Sequence, residues 1–476
     1  MSQPVTIEQL NSELSNLIDI IKTTVKTAKI KNKPNKELFR SKQLHKFDYL
    51  KSHFTSSLKN ITIERDDWGY VMWPLQQHIE KFTEYQKLLK TIPQLFPKFK
   101  NNDLVNFAVK VIRLYLHDEV KGFHSKKNLI KAFFKELHDE LLLYKADFEI
   151  TGVALQPEII KISRSIYLKK VTKEDVEEPI PIEDFIRHRR YNYNSRAKLH
   201  VEYSEKRKYI DFHKWQLIMT ILRLYKVADV KYESSKIISE STEDWMRYGE
   251  KTIWSDHHFI FGCLLTEKDS KELPKFWKII EKYIPDSFKV PFTQRDNITI
   301  AYQRYLEAMT NPGDDEMRIA FGVAALEALF LAEEGELKYR LRMRVSRILG
   351  IMGLDPNNVY RDIGVAYDVR STFDHGDKLK VKDIMKIRKM YNAKDERVLT
   401  LIILDYVRIS LITVIMSKVS KGRIINLIDK SWVSSNDLSE LRTIFQGPIK
   451  LLNLKSYRPT YSISPFNDAD FSYIIQ

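Results

Sequence analysis

The chain is expected to be an α+β protein, predominantly α, and three features of its sequence carry that expectation. From Asp296 to about residue 430, apolar residues recur at the helical period with only short polar interruptions. From Lys145 the pattern turns to short runs rich in β-branched and aromatic residues: ADFEITGVAL, then EIIKISRSIYLKKV, then AKLHVEY near Ala197. The 476 residues, 43% hydrophobic and 30% charged, suffice for two or three domains with ordinary soluble cores. The implied organisation is a mixed helical and α/β N-terminal region followed by a C-terminal helical bundle. Four segments are expected: 1–145 helical, 146–290 mixed α/β, 291–446 the bundle, and 447–476 an extended arm rich in Tyr, Pro and Ser.

Taken in order, residues 1–30 have the stripe Val5, Ile7, Leu10, Leu14, Leu17, Ile18 and Ile21, which predicts an amphipathic helix. KIKNKPNK (Lys29 to Lys36) breaks it with a proline and clustered lysines, a pattern of solvated linkers. Helices are predicted at Asp103–Asp118 and Lys126–Tyr144 before the β-rich runs begin. Between the second and third of those runs lies IRHRRYNYNSRAK (Ile186 to Lys198), where Arg187, Arg189, Arg190 and Arg196 alternate with Tyr191 and Tyr193. Arginines track phosphates and aromatic rings stack on unpaired bases, so Arg187, Arg189, Arg190 and Tyr191 are candidate RNA contacts; a solvated loop or an internal salt-bridge cluster reads equally from the same residues. A helix at Tyr209–Tyr225 and a strand-like DVKYESSKIIS (Asp229 to Ser239) complete the mixed module. Asp256, His257 and His258 are adjacent potential metal ligands, but neighbouring histidines on a helix point about 100 degrees apart, and no third histidine is near in sequence.

A boundary falls near VPFT (Val290 to Thr293), and bundle helices are predicted at Asp296–Met309, Asp314–Glu333, Glu336–Leu349, Pro356–Asp374, Val381–Tyr391 and Glu396–Lys418. The run Val398 to Met416 approaches the length of a membrane span. Asp405 and Arg408 within it would each cost about 2.5–3.5 kcal/mol at mid-bilayer, and three residues apart they can pair on one helix face, so the run is expected to be the central helix of a bundle. Glu327 interrupts an apolar run and needs a cation or a cluster of donors. Arg340, Arg344 and Arg347 form a stripe on the next helix that could supply it, or one of them could grip a substrate.

Net charge of +15 makes a polyanion the expected partner, against the plainer reading of a basic protein with no nucleic-acid role. A single cysteine, Cys263, leaves no intramolecular disulfide and no thiolate zinc site, which suits a reducing cytoplasm. The N-terminus has neither a basic nor an apolar leader region, so no secretion is expected.

The stretch Tyr367 to Gly376, YDVRSTFDHG, concentrates the chemistry. Asp355 is suited to N-cap the helix leading into it, Pro356 suits the first helical position, and Val359, Ile363, Ala366 and Tyr367 recur on one face. Arg370 continues that apolar stripe, so its charge must be paired or must face a site. His375 precedes Gly376, the favoured residue just past a helix end, and so belongs in or beside the last turn. Five residues advance a helix by about 500 degrees, which leaves the two side chains about 140 degrees apart; two copies related by a two-fold axis could surround one phosphate with two arginines and two histidines.

Arg-x4-His-Gly at the end of a helix, preceded by a helix carrying AALEALF (Ala324 to Phe330) and then by GELKYRLRMRVSRILG (Gly335 to Gly350), resembles the Apea-like branch of the HEPN superfamily over roughly Thr293 to Ser420. Phe373 and Asp374 stand where that branch more often has aliphatic residues. The resemblance implies a HEPN-like helical bundle that forms a homodimer, and a metal-independent endoribonuclease whose Arg-x4-6-His motif lines the dimer cleft. On that reading Arg370 and His375 are catalytic, Glu327, Ser371, Asp374 and Arg344 support them, and Arg340 joins the RNA contacts. RNA, tRNA included, and a second copy are the implied partners, with no cofactor and no membrane. Antiphage defence or toxin-like growth arrest in the cytoplasm is the implied setting. Residues 1–290 have no recognised catalytic motif and are expected to sense, select or gate. The rival from another class is a non-catalytic HEPN module for dimerisation and for RNA or nucleotide binding, in which Arg370 pairs Asp368, Asp374 or Glu327 and His375 merely ends a helix. A metallohydrolase is disfavoured for want of ligand clusters.

Overall fold

The computed structural model describes residues 5–27, 29–32, 62–66, 69–70, 76, 78–116, 120, 122–171, 196–206, 212–241, 262–288, 296–310, 314–332, 335–391 and 397–454. These residues are predominantly helical, with a smaller β component. The chain forms two compact units that interleave in sequence. One comprises Met1–Phe148, His200–Tyr209 and Ser234–Ile253; the other comprises Glu149–Leu199, Ile210–Glu233 and Trp254–Gln476.

The first unit begins with α1 (Ile7–Thr27), whose buried face is Leu10, Leu14, Leu17, Ile18, Ile21 and Val25. The short strands β1 (Lys29–Asn32), β2 (Thr62–Asp66) and β3 (Gly69–Tyr70) form a small sheet, so the lysine-rich run expected to be a linker starts as a strand. Three helices, α2 (Thr83–Leu95), α3 (Asn101–Leu116) and α4 (Lys126–Leu137), then pack against α1. They share a core in which the Phe107 and Phe133 rings meet at a tilt with centres 4.7 Å apart. The helix expected to reach Tyr144 stops at Leu137, because Asp139 takes φ of 55° and turns the chain. The chain then alternates in burial residue by residue as a strand, β4 (Leu142–Thr151).

Beyond it lie β5 (Val153–Leu155), the antiparallel hairpin β6 (Ile159–Lys161) and β7 (Ile166–Lys170), β8 (Arg196–Glu205), α5 (Phe212–Tyr225), β9 (Lys231–Ser239), β10 (Cys263–Leu265) and α6 (Asp269–Ile280). The larger sheet has the order β6-β7-β8-β4-β9, and β10 pairs in parallel with β5.

The second unit continues as a run of helices: α7 (Asn297–Thr310), α8 (Asp315–Phe330), α9 (Leu337–Met352), α10 (Pro356–Asp374), α11 (Val381–Tyr391), α12 (Arg397–Ser417), α13 (Lys421–Lys430), α14 (Ser435–Ile444) and α15 (Gln446–Leu452). The first residues of the expected extended arm are therefore helical. Pro448 fits there because it lies in the first turn of α15, where its missing N–H has no intrahelical partner to lose. Residues 455–476 lie outside those described.

At the centre is α12, long and apolar enough to cross a membrane, yet 94% buried along its most apolar window. Asp405 and Arg408 pair at 2.7 Å as their spacing predicts. Arg408 also donates to the carbonyls of Leu224 and Tyr225 at 3.0 and 3.1 Å, so the cation buried in α12 caps the C-terminus of α5.

Candidate functional site

The candidate site is the C-terminal end of α10. This helix forms where the sequence predicts it, since the Asp355 carboxylate accepts from the Asn357 N–H at 2.9 Å and Pro356 occupies the first turn. Of the expected stripe, Val359, Ile363 and Ala366 are buried while Tyr367 is half-buried, with Val369 buried in its place, and the helix packs against α8, α9 and α12. Asp362, with no exposed surface, locks the register. It accepts from the hydroxyls of Tyr391 on α11 at 2.7 Å and Tyr406 on α12 at 2.8 Å, and from Arg361 at 2.9 Å. Gly376, at φ of 75°, ends the helix in the left-handed conformation that glycine adopts without cost.

Arg370 emerges from this rigid helix and is held at two points. Its Nη1 forms an ion pair with Glu327 of α8, and its Nε donates to Asp374, one turn further on, at 3.0 Å. The Tyr367 ring lies beneath, its centre 5.8 Å from the guanidinium carbon. Burial alone would lower the arginine's pKa; the Glu327 hydrogen bond and charge, with smaller help from Asp374 and Tyr367, outweigh it and raise the pKa above the usual value. Arg370 is therefore a permanent cation at a defined place. The Asp374 carboxylate is half exposed and contributes little, so it is the partner an incoming anion would displace.

His375 is the C-cap residue, its backbone N–H donating to the Ser371 carbonyl at 3.2 Å while its side chain is exposed to solvent. Ser371 thus contributes through its backbone, and its side chain is half-buried in the last turn.

Two expectations about this region are corrected. The arginine stripe of α9 does not serve Glu327, whose partner is Arg370. Arg344, 1% exposed, forks onto Asp429 of α13 at 2.9 and 2.7 Å and donates to the Phe330 carbonyl, which makes it a brace between helices and not a site residue. Arg347 is likewise engaged, donating to the Ser431 hydroxyl at 2.9 Å and lying over the Trp432 ring. Arg340 lies nearer the surface, 3.9 Å from Glu336. Arg187, Arg189, Arg190 and Tyr191 fall outside the described residues, as do Asp256, His257 and His258. Among the described residues no cluster of three His, Cys, Asp or Glu could hold a metal ion. Burial pushes the Cys263 thiol up to about 12, so it is not poised as a nucleophile.

Where the start of α9 faces Tyr367 of α10 there opens a cleft of about 660 Å³ that the sequence did not reveal. Lys338, Tyr339 and Arg342 of α9 and Tyr367 of α10 line it, so it adjoins Arg370 through the tyrosine beneath that guanidinium. The one sequence signal for it was Gly364, a glycine inside a helical pattern, which marks close approach of another group. Compared with family models, with curated proteins and with solved structures, the chain matches none.

Proposed function

We propose that this protein is a metal-independent endoribonuclease of the HEPN type, acting as a homodimer through its helical bundle. The observation that supports the reading best is the last turn of α10, which has a guanidinium fixed by Glu327 and Asp374 and ends on a solvent-exposed imidazole, with a cleft of cationic and aromatic walls reached from the guanidinium through Tyr367. The net charge of +15 suits a polyanionic substrate.

RNA brings its own nucleophile. The 2'-oxygen attacks phosphorus, the P–O2' bond forms and the P–O5' bond breaks; one proton leaves the 2'-hydroxyl and one reaches the departing 5'-oxygen. Histidine is the side chain suited to both transfers near neutral pH, and two copies of His375 would supply a base and an acid. Arg370 would stabilise the charge that builds on the non-bridging oxygens, a role that rewards a guanidinium already fixed in place. The products are a 2',3'-cyclic phosphate and a 5'-hydroxyl. RNA, tRNA included, is the substrate class, and defence against phage or growth arrest in the cytoplasm is the setting that goes with it.

One observation favours a second reading. Arg370 already has two carboxylate partners, as expected of a structural ion pair in a non-catalytic module for dimerisation and RNA or nucleotide binding. Purified protein incubated with RNA in EDTA separates the two. Cleavage to cyclic phosphate ends that His375→Ala abolishes supports the nuclease, whereas salt-sensitive binding without turnover, unchanged in that variant, supports the binding module.

A further inference from the structure

The cleft next to Arg370 contains a guanidinium whose seating the proposed active site does not use. Arg342 lies flat on α10: its Nε donates to the Tyr360 carbonyl at 3.0 Å, and its central carbon sits 3.7 Å from the centre of the Tyr360 ring. Gly364 makes room for it, since a Cβ there would meet the guanidinium Nε at 2.8 Å and Cζ at 2.9 Å. Arg340, Arg344 and Arg370 each face a carboxylate, but among the described residues Arg342 has none, and its two terminal nitrogens are left without a protein acceptor. Fixed orientation without a counter-charge is the arrangement that binds a phosphate at low entropic cost, because the fork need not be ordered when the ligand arrives.

Two neighbours extend the site. Tyr339 is 55% exposed, an aromatic face offered to solvent on the wall of the same cleft. Lys338 shares that wall and is tied to Asp368, itself 67% exposed, so the lysine is a second cation that a phosphate can recruit. Glu336, a carboxylate that also lines the cleft, lies 3.9 Å from Arg340.

We propose that this cleft is a substrate subsite for single-stranded RNA, in which Arg342 grips a phosphodiester beside the scissile one and Tyr339 stacks on an unpaired base. The inference rests on the nuclease reading for the word substrate, but not for the binding itself. A strand held here would pass over Tyr367 toward Arg370, which confines cleavage to unpaired segments.

The test uses the full-length chain, with His375→Ala as the background so that RNA survives, and a fluorescent twelve-nucleotide uridine strand as the probe. Arg342→Gln is expected to weaken binding about tenfold or more and to lower the slope of affinity against salt by about one. Tyr339→Ala, at an exposed position, is expected to cost about fivefold or more with no change in that slope. Gly364→Ala leaves every charged and aromatic side chain present but displaces the Arg342 guanidinium, and is expected to weaken binding with stability retained. Unchanged affinity in Tyr339→Ala and Gly364→Ala overturns the subsite even if Arg342→Gln fails to fold, and so does absence of binding by the background protein. If these variants lose binding while the wild type cleaves nothing, the subsite stands and the nuclease reading falls.

Discussion

Replacing Arg370 by alanine tests whether the ion pair with Glu327 organises the end of α10. The Glu327 side chain is 16% exposed and Arg370 24%, so the variant leaves a carboxylate largely out of water with no counter-charge. Breaking a fully buried pair from one side costs about 3–5 kcal/mol and an exposed pair is worth about 0–1, which places this one at about 2–3 kcal/mol. The Asp374 contact adds little because that carboxylate is 50% exposed. Removing both partners relieves the stranded charge, so Glu327→Ala combined with Arg370→Ala should be less destabilised than the sum of the single variants by about 1–2 kcal/mol. Urea unfolding of the four proteins, read as midpoint shifts at constant slope, measures the cycle. Additivity within about 0.3 kcal/mol would refute the pairing. The same four proteins separate structure from catalysis: the double variant should fall short of additive destabilisation yet show no RNA cleavage.

Further outcomes follow from other parts of the structure. Asp362→Ala deprives two tyrosine hydroxyls and Arg361 of their shared acceptor, and should destabilise the helical unit by about 3–5 kcal/mol in the same urea assay. His124 is buried, and desolvation, with Lys110 and Arg113 nearby, lowers its pKa to about 4. The unfolded chain therefore binds the extra proton first, and stability present above pH 6.5 should fall as pH drops toward 4 by on the order of 2 kcal/mol, a dependence that His124→Gln should remove. If two copies of His375 complete one site, co-refolding wild type with an excess of inactive His375→Ala should cut cleavage well below the fraction of wild-type chains, because each mixed dimer lacks one imidazole, whereas a site contained in one chain would leave activity proportional to that fraction.

What was legible in the sequence was whatever is specified locally. The span of α10 was readable residue for residue because its cap, its first-turn proline and its closing glycine all lie within or beside it. The neighbouring helices of the bundle were placed to within a few residues by periodicity alone. The helices α2 and α6 escape a periodicity reading because Pro93 and Pro274 interrupt their patterns, although a proline is tolerated where packing sustains the helix around it. Side-chain partners between helices were not legible. Glu327 had four arginines within plausible reach, and the choice depends on how α8, α9 and α10 are rotated against one another, which no local pattern encodes. Arg344 found its carboxylate 85 residues away, and the seat of Arg342 requires the coincidence of Gly364 and Tyr360 on another helix.

The central claim is that Arg370 and His375 cut RNA by promoting attack of its own 2'-hydroxyl. Its most direct measurement is the end chemistry of total RNA incubated with the purified protein in EDTA, mapped for the wild type, Arg370→Ala and His375→Ala. Cleavage by the wild type alone, leaving 2',3'-cyclic phosphate and 5'-hydroxyl ends, is the expected result. Equal cleavage by His375→Ala, or ends bearing a 3'-hydroxyl and a 5'-phosphate, would contradict it.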